Sequence, residues 1–278
     1  MKSHRVAAAS GIALAILGVL MSGCGAAGAG SPPTERLVIT GSSTVAPLVA
    51  EIGKRFEAVE GVRVDVQTGG SSRGIADARQ GLADIGMASR ALGPAEEDLS
   101  GHTIARDGIC VIVHRDNPVE RLDDSEVVAI FTGRHQEWSE VGGETRPITV
   151  VNKAEGRSTL ELFLKHFALE NRQVAASVVI GDNEQGIKTV AGNPGAVGYV
   201  SIGAAEHAAA RGVAIKLLPM SGVVASTEAL SAGTFPLARP LTLVTRGTPS
   251  NLAQRFIEYA RSPAVSDLVR ELSFVPAS

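Results

Sequence analysis

The amino-acid sequence predicts an α/β fold of two lobes, joined by two crossings of the chain, with a ligand cleft between them. Three observations lead to this prediction. Strand-like apolar stretches alternate with stretches of helical periodicity, which is typical of mainly parallel sheets covered by helices on both faces. Glycine is frequent, with 31 residues, and suits tight turns between strands and helices. Two segments rich in proline and polar residues interrupt the pattern.

The N-terminal segment is predicted to be a targeting signal and a tether rather than part of the fold. A positively charged start precedes an apolar stretch at 6–21, which is too short and too rich in glycine and alanine to predict a membrane span. The sequence MSGCGAAGAGSPP then resembles the lipobox of bacterial lipoproteins, whose cysteine receives acyl chains such as palmitate. This implies a signal peptide at 1–23, a lipidated Cys24 and a flexible tether at 24–35. A plain secretory signal with an incidental cysteine remains the alternative.

The first predicted elements follow one another closely. A short apolar strand at 37–39 leads into an amphipathic helix at 45–56, whose apolar residues fall on one stripe. The stretch at 62–68 alternates apolar and polar residues as a half-buried strand does. A helical stretch at 74–82 and a short strand at 83–89 follow, so the first part of the chain is predicted to form parallel strands joined by helices.

The middle of the chain continues the alternation. The longest strand signal lies at 103–118, and a helix at 124–133 with an aspartate cap follows it. A strand at 147–153 and a helix at 159–169 come next. The last part of the chain holds a strand at 236–245 and two helical periods, NLAQRFIEYARS and AVSDLVRELS.

The lobe boundaries are predicted at two polar, proline-containing segments, 113–122 and 231–240, each at the edge of an apolar strand. They assign residues 36–112 and 241–278 to the first lobe and residues 113–240 to the second lobe. Because ligands of open α/β sheets bind beyond the carboxyl ends of the strands, facing strand ends of the two lobes would share one ligand.

Composition excludes several classes of function. The formal charge is −3 and no long basic run occurs, so nucleic acid is not an expected partner. Aromatic residues make up 4% of the chain, which argues against an aromatic-lined groove for sugars or nucleic acid. Only two cysteines occur and the histidines lack metal-binding spacing, so no metal and no cofactor is predicted. Cys110 lies in the apolar run GICVIV and is expected to be a buried, inert thiol.

Four loops of related chemistry follow predicted strands. Each offers serine or threonine hydroxyls and the free backbone N–H groups of a helix start, which together favour an anion. Candidate cations accompany them at Arg73, Arg90, Lys153 and Arg157. Helix capping alone does not explain equivalent loops in both lobes, so we expect an oxyanion held by many oriented hydrogen bonds. The loops are GSST at 41–44, TGGSSRG at 68–74, MASR at 87–90 and NKAEGRST at 152–159.

A serine hydrolase is the enzymatic alternative. The segment 70–74 reads G-x-S-x-G between a strand and a helix, as in that class of enzyme. Ser72 would be the nucleophile, with His207 or His166 as the base and Asp182 as the group that orients the base. Too few mature residues precede the motif to build the strands of a hydrolase sheet, so no enzymatic activity is predicted.

Six segments resemble, in order and spacing, the phosphate-binding components of bacterial ATP-binding-cassette (ABC) phosphate transporters. The resemblance covers residues 37 to about 275 and implies a periplasmic-binding-protein fold of the class II type that closes on inorganic phosphate. It also implies an extracytoplasmic, lipid-anchored protein that delivers phosphate to the permease subunits of an importer, and we expect a monomer. The segments are GSSTVAPL, GGSSRGI, ADIGMASR, IFTGRHQEWSEVGG, AEGRSTLELF and NPGAVGYVSIG.

The resemblance also implies which residues contact phosphate. In the first loop it places the contact at Ser43 or Thr44 and the amide of Val45, which leaves Ser42 as a helix cap. In the second loop it points to the first serine of a pair, here Ser71. The full implied site is Ser43, Thr44, Val45, Ser71, Ser72, Ser89, Arg90, Lys153, Arg157, Ser158 and Thr159.

Two loops depart from the family pattern. Many members carry an aspartate at the position of Ser89, and that aspartate accepts the proton of the bound phosphate; here Arg90 follows as a candidate cation. In the fourth loop Lys153 stands at the usual arginine and Arg157 at a usual serine. Another tetrahedral oxyanion as the ligand, or a role in phosphate sensing or as a scaffold, therefore remains an alternative.

Overall fold

The computed structural model describes residues 35–277 of the chain. The predicted signal peptide, Cys24 and all but the last residue of the predicted tether lie outside the described residues. No helix within 35–277 is long and apolar enough to cross a membrane.

Three parallel strands form the centre of the first lobe. β1 (Arg36–Gly41) lies between β2 (Arg63–Thr68) and β3 (Ile85–Ala88) and pairs with both. α1 (Ala46–Glu60) connects β1 to β2, and α2 (Ser71–Gln80) connects β2 to β3. This matches the order predicted from the sequence, and it places the starts of both helices at the carboxyl ends of the strands.

Two long strands run from the first lobe into the second. β4 (Leu99–His114) pairs antiparallel with β9 (Ala238–Arg246) and with the short β10 (Val275–Pro276). The later part of β4 pairs antiparallel with β7 (Ala196–Ser201) and β8 (Ile215–Leu217). The sheet is therefore mixed rather than mainly parallel as predicted, because no helical crossover joins β3 to β4.

The second lobe repeats the strand–helix alternation. β5 (Thr149–Lys153) pairs in parallel with β7 and with the short β6 (Val178–Ile180), which extends the strand order to β2-β1-β3-β9-β4-β7-β5-β6. The other helices of the described residues are α3 (Asp124–Phe131), α4 (Ser158–His166), α5 (Asn183–Ala191), α6 (Ile202–Ala210), α7 (Thr227–Ser231), α8 (Asn251–Ala260) and α9 (Ser266–Glu271).

Each lobe has its own apolar core. Phe56 and Phe256 pack edge to face in the first, with ring centroids 5.2 Å apart. Phe163 and Tyr199 stack in the second at 3.8 Å. Along β4 the buried side chains pass from the first core to the second between residues 105 and 109, a few residues before the predicted boundary after residue 112. The exact lobe boundaries stay a prediction.

Candidate anion-binding site

A small polar cavity lies where loops of the two lobes face each other. It holds about 210 Å³ of empty space, including its mouth. Of residues 35–277, two charged side chains line it, both of them cations, and no carboxylate does. Its lining residues are Ser42, Ser43, Thr44, Gly70, Ser71, Ser89, Lys153, Arg157, Ser158, Thr159 and Gly181.

Three helices begin at this cavity, and none of them has a side-chain cap at its N-cap residue. These are α1, α2 and α4. Some of their first N–H groups have backbone partners instead: that of Ala46 bonds to the carbonyl of Ser42 and that of Ser72 to the carbonyl of Gly156, while Pro47 has no N–H. α9, which directly follows a 3₁₀ turn, is the other described helix without a side-chain cap. Uncapped helix starts attract anions through their N–H groups and their dipole. The remaining described helices are capped by Asp123, Asp182, Ser201, Ser226 and Ser250.

Ser42 takes the structural role in the first loop. Its Oγ accepts hydrogen bonds from the backbone N–H groups of Thr44 (3.2 Å) and Val45 (3.4 Å) and donates to Ser89 Oγ (3.0 Å). The predicted phosphate contact through the amide of Val45 is therefore not supported, because that N–H already bonds to Ser42 and Val45 does not line the cavity.

Thr44 and Thr159 line the cavity from opposite lobes, and the hydroxyl oxygen of each accepts at least one hydrogen bond from the protein. Thr44 Oγ1 accepts from Asn183 Nδ2 (3.1 Å) and Arg239 Nη2 (3.4 Å). Thr159 Oγ1 accepts from Arg239 Nη1 (2.9 Å). A hydroxyl has one proton to donate besides its two acceptor lone pairs, so both groups retain their own proton for a ligand.

Ser71 shows the same arrangement. Its Oγ accepts from the backbone N–H of Ser89 at 3.2 Å, and the side chain is buried at the start of α2. The hydroxyl proton remains available to the cavity. Ser43 and Ser158 complete the set of cavity hydroxyls, and Ser158 Oγ is buried without a hydrogen-bond partner.

Two cations come from the second lobe. Lys153 is 3% exposed, and its Nζ donates to Asn183 Oδ1 at 3.0 Å. Burial lowers the pKa of the Lys153 ammonium to about 7, and the nearby charge of Arg239 acts in the same direction. Arg157 is partly buried, and its Nε has no hydrogen-bond partner. Buried polar groups are normally paired, so the free Nε of Arg157 and the free hydroxyl of Ser158 fit a ligand with acceptor atoms.

A buried ion pair behind the cavity escaped sequence reasoning. Arg239 on β9 bonds to Asp107 on β4 and reaches hydroxyls that line the cavity. The sequence predicts a strand around Asp107, and it places Arg239 in both a strand and a proline-containing segment, with no sign that the two side chains pair. One signal was visible, because each charge lies within an apolar stretch, RDGICVIV and FPLARPLTLV, where a charge needs a partner.

Ser72 and Arg90 do not line the cavity, contrary to the prediction. Both are engaged by Glu161 of α4. Ser72 Oγ donates to Glu161 Oε1 (3.0 Å), and Arg90 Nε donates to Oε2 (2.9 Å) while its Nη atoms pair with Glu96. Arg90 cannot serve as a free cation in that state. These bonds join the lobes, as does the backbone N–H of Ser72, which donates to the carbonyl of Gly156 at 3.3 Å.

The contact between the lobes requires glycine at one position. Gly70 has φ of +98°, and a Cβ placed on it would lie 2.6 Å from the carbonyl oxygen of Gly156 in the facing loop. Any side chain at residue 70 would therefore strain the backbone and push the two loops apart.

The arrangement gives no support to a serine hydrolase. The hydroxyl of Ser72 donates to Glu161, and neither His166 nor His207 bonds to it. Asp182 caps α5 by accepting from the backbone N–H of Gln185. A nucleophile needs a base within hydrogen-bond reach, and Ser72 has no histidine there.

No metal site is found among the described residues, which contain no group of three histidine, cysteine, aspartate or glutamate side chains that could hold an ion. Cys110 is buried, its Sγ lies 3.9 Å from the carbonyl oxygen of Val200, and burial raises the pKa of its thiol. A thiol in this setting is unreactive, as predicted.

Comparison with known proteins identifies the family. The sequence model of the PBP (periplasmic-binding-protein) superfamily domain matches residues 26–264. The chain is 27% identical over 248 residues to the phosphate-binding protein PstS of Bacillus subtilis, an alignment that covers 87% of this chain and 81% of that protein. It is also 41% identical over 109 residues to phosphate-binding protein PstS 2 of Streptococcus agalactiae, covering 38% of this chain and 37% of that protein.

Solved structures share the fold. A candidate phosphate ABC transporter substrate-binding protein of Clostridium perfringens, with bound phosphate, superposes with a TM-score of 0.80 at 27% identity, covering 88% of this chain and 100% of that chain. An ABC-type phosphate transport receptor of Vibrio cholerae gives a TM-score of 0.71 at 26% identity, covering 86% and 99%. The predicted two-lobed fold and the resemblance are confirmed. Because the family model matches most of its length, this chain belongs to the PBP superfamily.

Proposed function

We propose that this protein binds inorganic phosphate in the polar cavity between its lobes and delivers it to the permease subunits of an ABC importer. The cavity itself is the observation that carries the proposal: three helix starts without a side-chain cap, seven hydroxyl groups and two cations surround it, and no carboxylate of the described residues does. The names and bound phosphate of the relatives support the same ligand. Such a protein binds its ligand and needs no catalytic group.

The proposed ligands are the hydroxyl and cationic side chains that line the cavity. Thr44 and Ser71 of the first lobe and Thr159 of the second would each donate the proton that their other hydrogen bonds leave free. Lys153 and Arg157 would add charge-assisted bonds, which are shorter and stronger than bonds between neutral groups. Ser43, Ser89 and Ser158 complete the proposed set.

Calorimetric titration of the purified protein with phosphate, arsenate, sulfate and molybdate tests the proposal. We expect phosphate and arsenate, which share charge and shape, to bind most tightly. Chloride and nitrate serve as control anions, because they carry a single charge and lack four oxygens in a tetrahedral arrangement. An affinity for phosphate no higher than that for chloride would contradict the proposal.

One observation favours a broader oxyanion specificity. No carboxylate of the described residues lines the cavity, so no charged acceptor meets the proton of a bound hydrogen phosphate, and the family resemblance implies an aspartate in many members at the position of Ser89. Sulfate has no proton to donate, so its affinity for this cavity should be higher than for a cavity in which a carboxylate faces the anion. Competition between sulfate and phosphate measures this: equal affinities would favour a general binder of tetrahedral oxyanions.

We also propose that the protein is a monomer held on the extracytoplasmic side of a membrane by lipid on Cys24. The lipobox-like sequence before Cys24 supports this location. A single acyl chain gives only marginal anchoring, so stable attachment requires more than one chain. Cys24→Ala is expected to move the protein from the membrane fraction to the soluble fraction, while Cys110→Ala, at a buried thiol, should leave the distribution unchanged. A Cys24→Ala protein that stays in the membrane fraction would contradict the anchor.

A further inference from the structure

The strands that connect the lobes carry an ion pair at their crossing. Asp107 of β4 lies opposite Arg239 of β9 in the strand register, and they are 0% and 3% exposed. Asp107 Oδ2 accepts from Arg239 Nε (3.1 Å) and Nη2 (2.8 Å), and its Oδ1 accepts from the backbone N–H of Gly203 at 3.2 Å. The guanidinium is therefore held in one orientation by a carboxylate that is itself fixed.

The other N–H groups of Arg239 reach hydroxyls of the cavity wall. Nη1 donates to Thr159 Oγ1 (2.9 Å) and to Ser89 Oγ (3.3 Å), and Nη2 lies 3.4 Å from Thr44 Oγ1. Thr44 and Ser89 belong to the first lobe and Thr159 to the second. One buried side chain thus connects three of the residues that line the cavity and both of its walls.

This connection fixes the direction in which the hydroxyls donate. A guanidinium has donors only, so every hydroxyl that it contacts must accept there. Ser89 Oγ also accepts from Ser42 Oγ at 3.0 Å, and Thr44 Oγ1 also accepts from Asn183. With their lone pairs engaged on the buried side, these hydroxyls have their protons left for the cavity.

We propose that Arg239 is a positioning residue, which orients the hydroxyls of Thr44, Ser89 and Thr159 as donors toward a bound tetrahedral oxyanion. This inference rests on one part of the proposed function, namely that the cavity binds a tetrahedral oxyanion. Arg239 does not line the cavity and acts through the three hydroxyls. Asp107 balances its charge, so the arginine can be buried there while adding little net attraction of its own.

A double-mutant cycle on affinity separates positioning from a merely structural role. Thr159→Val removes one oriented hydroxyl with little change of shape, and Arg239→Gln combined with Asp107→Asn removes both charges while keeping polar side chains. We expect the charge-neutral pair to weaken oxyanion binding at least tenfold. Thr159→Val should weaken it about tenfold in the wild-type background but less than threefold in the neutral-pair background, because its hydroxyl is no longer oriented. Equal losses in the two backgrounds would overturn the proposal.

A second variant and a second ligand complete the test. Arg239→Lys keeps the positive charge beside Asp107, but its three N–H donors on one nitrogen cannot replace the planar guanidinium that reaches the carboxylate and three hydroxyls at once; we expect a binding loss of at least tenfold, and wild-type affinity would overturn the proposal. The cycle is measured with phosphate and with sulfate. Wild-type protein that binds sulfate but not phosphate would contradict the proposed function, while the coupling measured with sulfate would still decide the role of Arg239.

Discussion

The two walls of the cavity differ in how far their polar groups are already satisfied. In the first lobe Ser42 bonds to two backbone N–H groups of its own loop, and Ser71 bonds to the N–H of Ser89. In the second lobe Arg157 Nε and Ser158 Oγ have no hydrogen-bond partner, and Lys153 is a buried cation bonded to a neutral amide. The first wall is held in place by its own hydrogen bonds, whereas the second holds groups that an anion would satisfy. Substitutions in the second wall should therefore cost more affinity.

The largest effect is expected for Lys153→Met. Loss of one partner of a buried charge pair costs about 2–5 kcal/mol, so anion affinity should fall by about 30-fold to several thousand-fold. Lys165→Met, at an exposed lysine of α4, is the matched control and should leave calorimetric affinity unchanged.

The same substitution should stabilise the protein without ligand. The pKa of Lys153 is about 7 in the folded protein against an ordinary value of 10.5. The unfolded chain therefore binds more protons between these pH values, and the penalty of burying the charge is fully present below pH 7. Thermal unfolding of Lys153→Met at pH 6 should occur at a higher temperature than that of the wild type. A lower temperature would mean that the amide contact of Lys153 outweighs the cost of its burial.

The next largest effect is expected for Arg157→Ala, which should lower the anion affinity by tens-fold. Its partly buried guanidinium would donate charge-assisted bonds, each contributing about 1.5–3 kcal/mol. Because Nε has no partner within the protein, its removal should leave the unfolding temperature nearly unchanged. Arg134→Ala, at an exposed arginine of the same lobe, is the control. Arg157→Ala with an affinity within twofold of wild type would place Arg157 outside the binding site.

In the first wall, Thr44→Val and Ser71→Ala should each weaken anion binding at least about tenfold, since a hydrogen bond to a charged group contributes about 1.5–3 kcal/mol. Thr44→Ser keeps a hydroxyl and should bind as the wild type does. Ser42 Oγ bonds to N–H groups of the loop before α1 rather than capping the helix as predicted, so Ser42→Ala should instead lower the free energy of unfolding by about 0.5–2 kcal/mol through the loss of these local bonds, with a smaller change in affinity. Calorimetric titration and thermal unfolding of all four variants test this distinction. It would be refuted if Thr44→Val and Ser71→Ala lowered the unfolding temperature but left the anion affinity unchanged.

The smallest effect concerns pH. Above pH 7 the Lys153 ammonium loses its proton in the free protein, and anion binding must restore it. The affinity of the wild type relative to Lys153→Arg should therefore fall by up to about tenfold between pH 7 and pH 8, since an arginine stays charged. Taking the ratio of the two proteins removes the titration of phosphate itself. A constant ratio would show that Lys153 keeps its proton throughout this range.

Local patterns in the sequence predicted the strand–helix order and the hydroxyl loops, because periodicity and turn composition act over a few residues. They could not predict the antiparallel crossing of β4 and β9, which depends on residues more than a hundred positions apart. The engagement of Arg90 was missed in part for the same reason, because Glu161 lies 71 positions away along the chain. Glu96 is only six residues from Arg90, but composition does not show that the two side chains pair. The roles of Asp107 and Arg239 were missed because they depend on an ion pair between two strands, and the sequence does not show which strands are neighbours.

Glu161 joins the lobes through Ser72 and Arg90, and none of the three lines the cavity. The bonds of Glu161 thus lie outside the cavity, whereas the bond from Asn183 to Thr44 Oγ1 joins the lobes through a hydroxyl that lines it. Because opening of the cleft breaks the bonds of Glu161, we expect this carboxylate to contribute to the residence time of a bound anion, while the cavity residues select which anion is held. Substitution of Glu161 should therefore change how fast an anion is released more than it changes which anion is recognised.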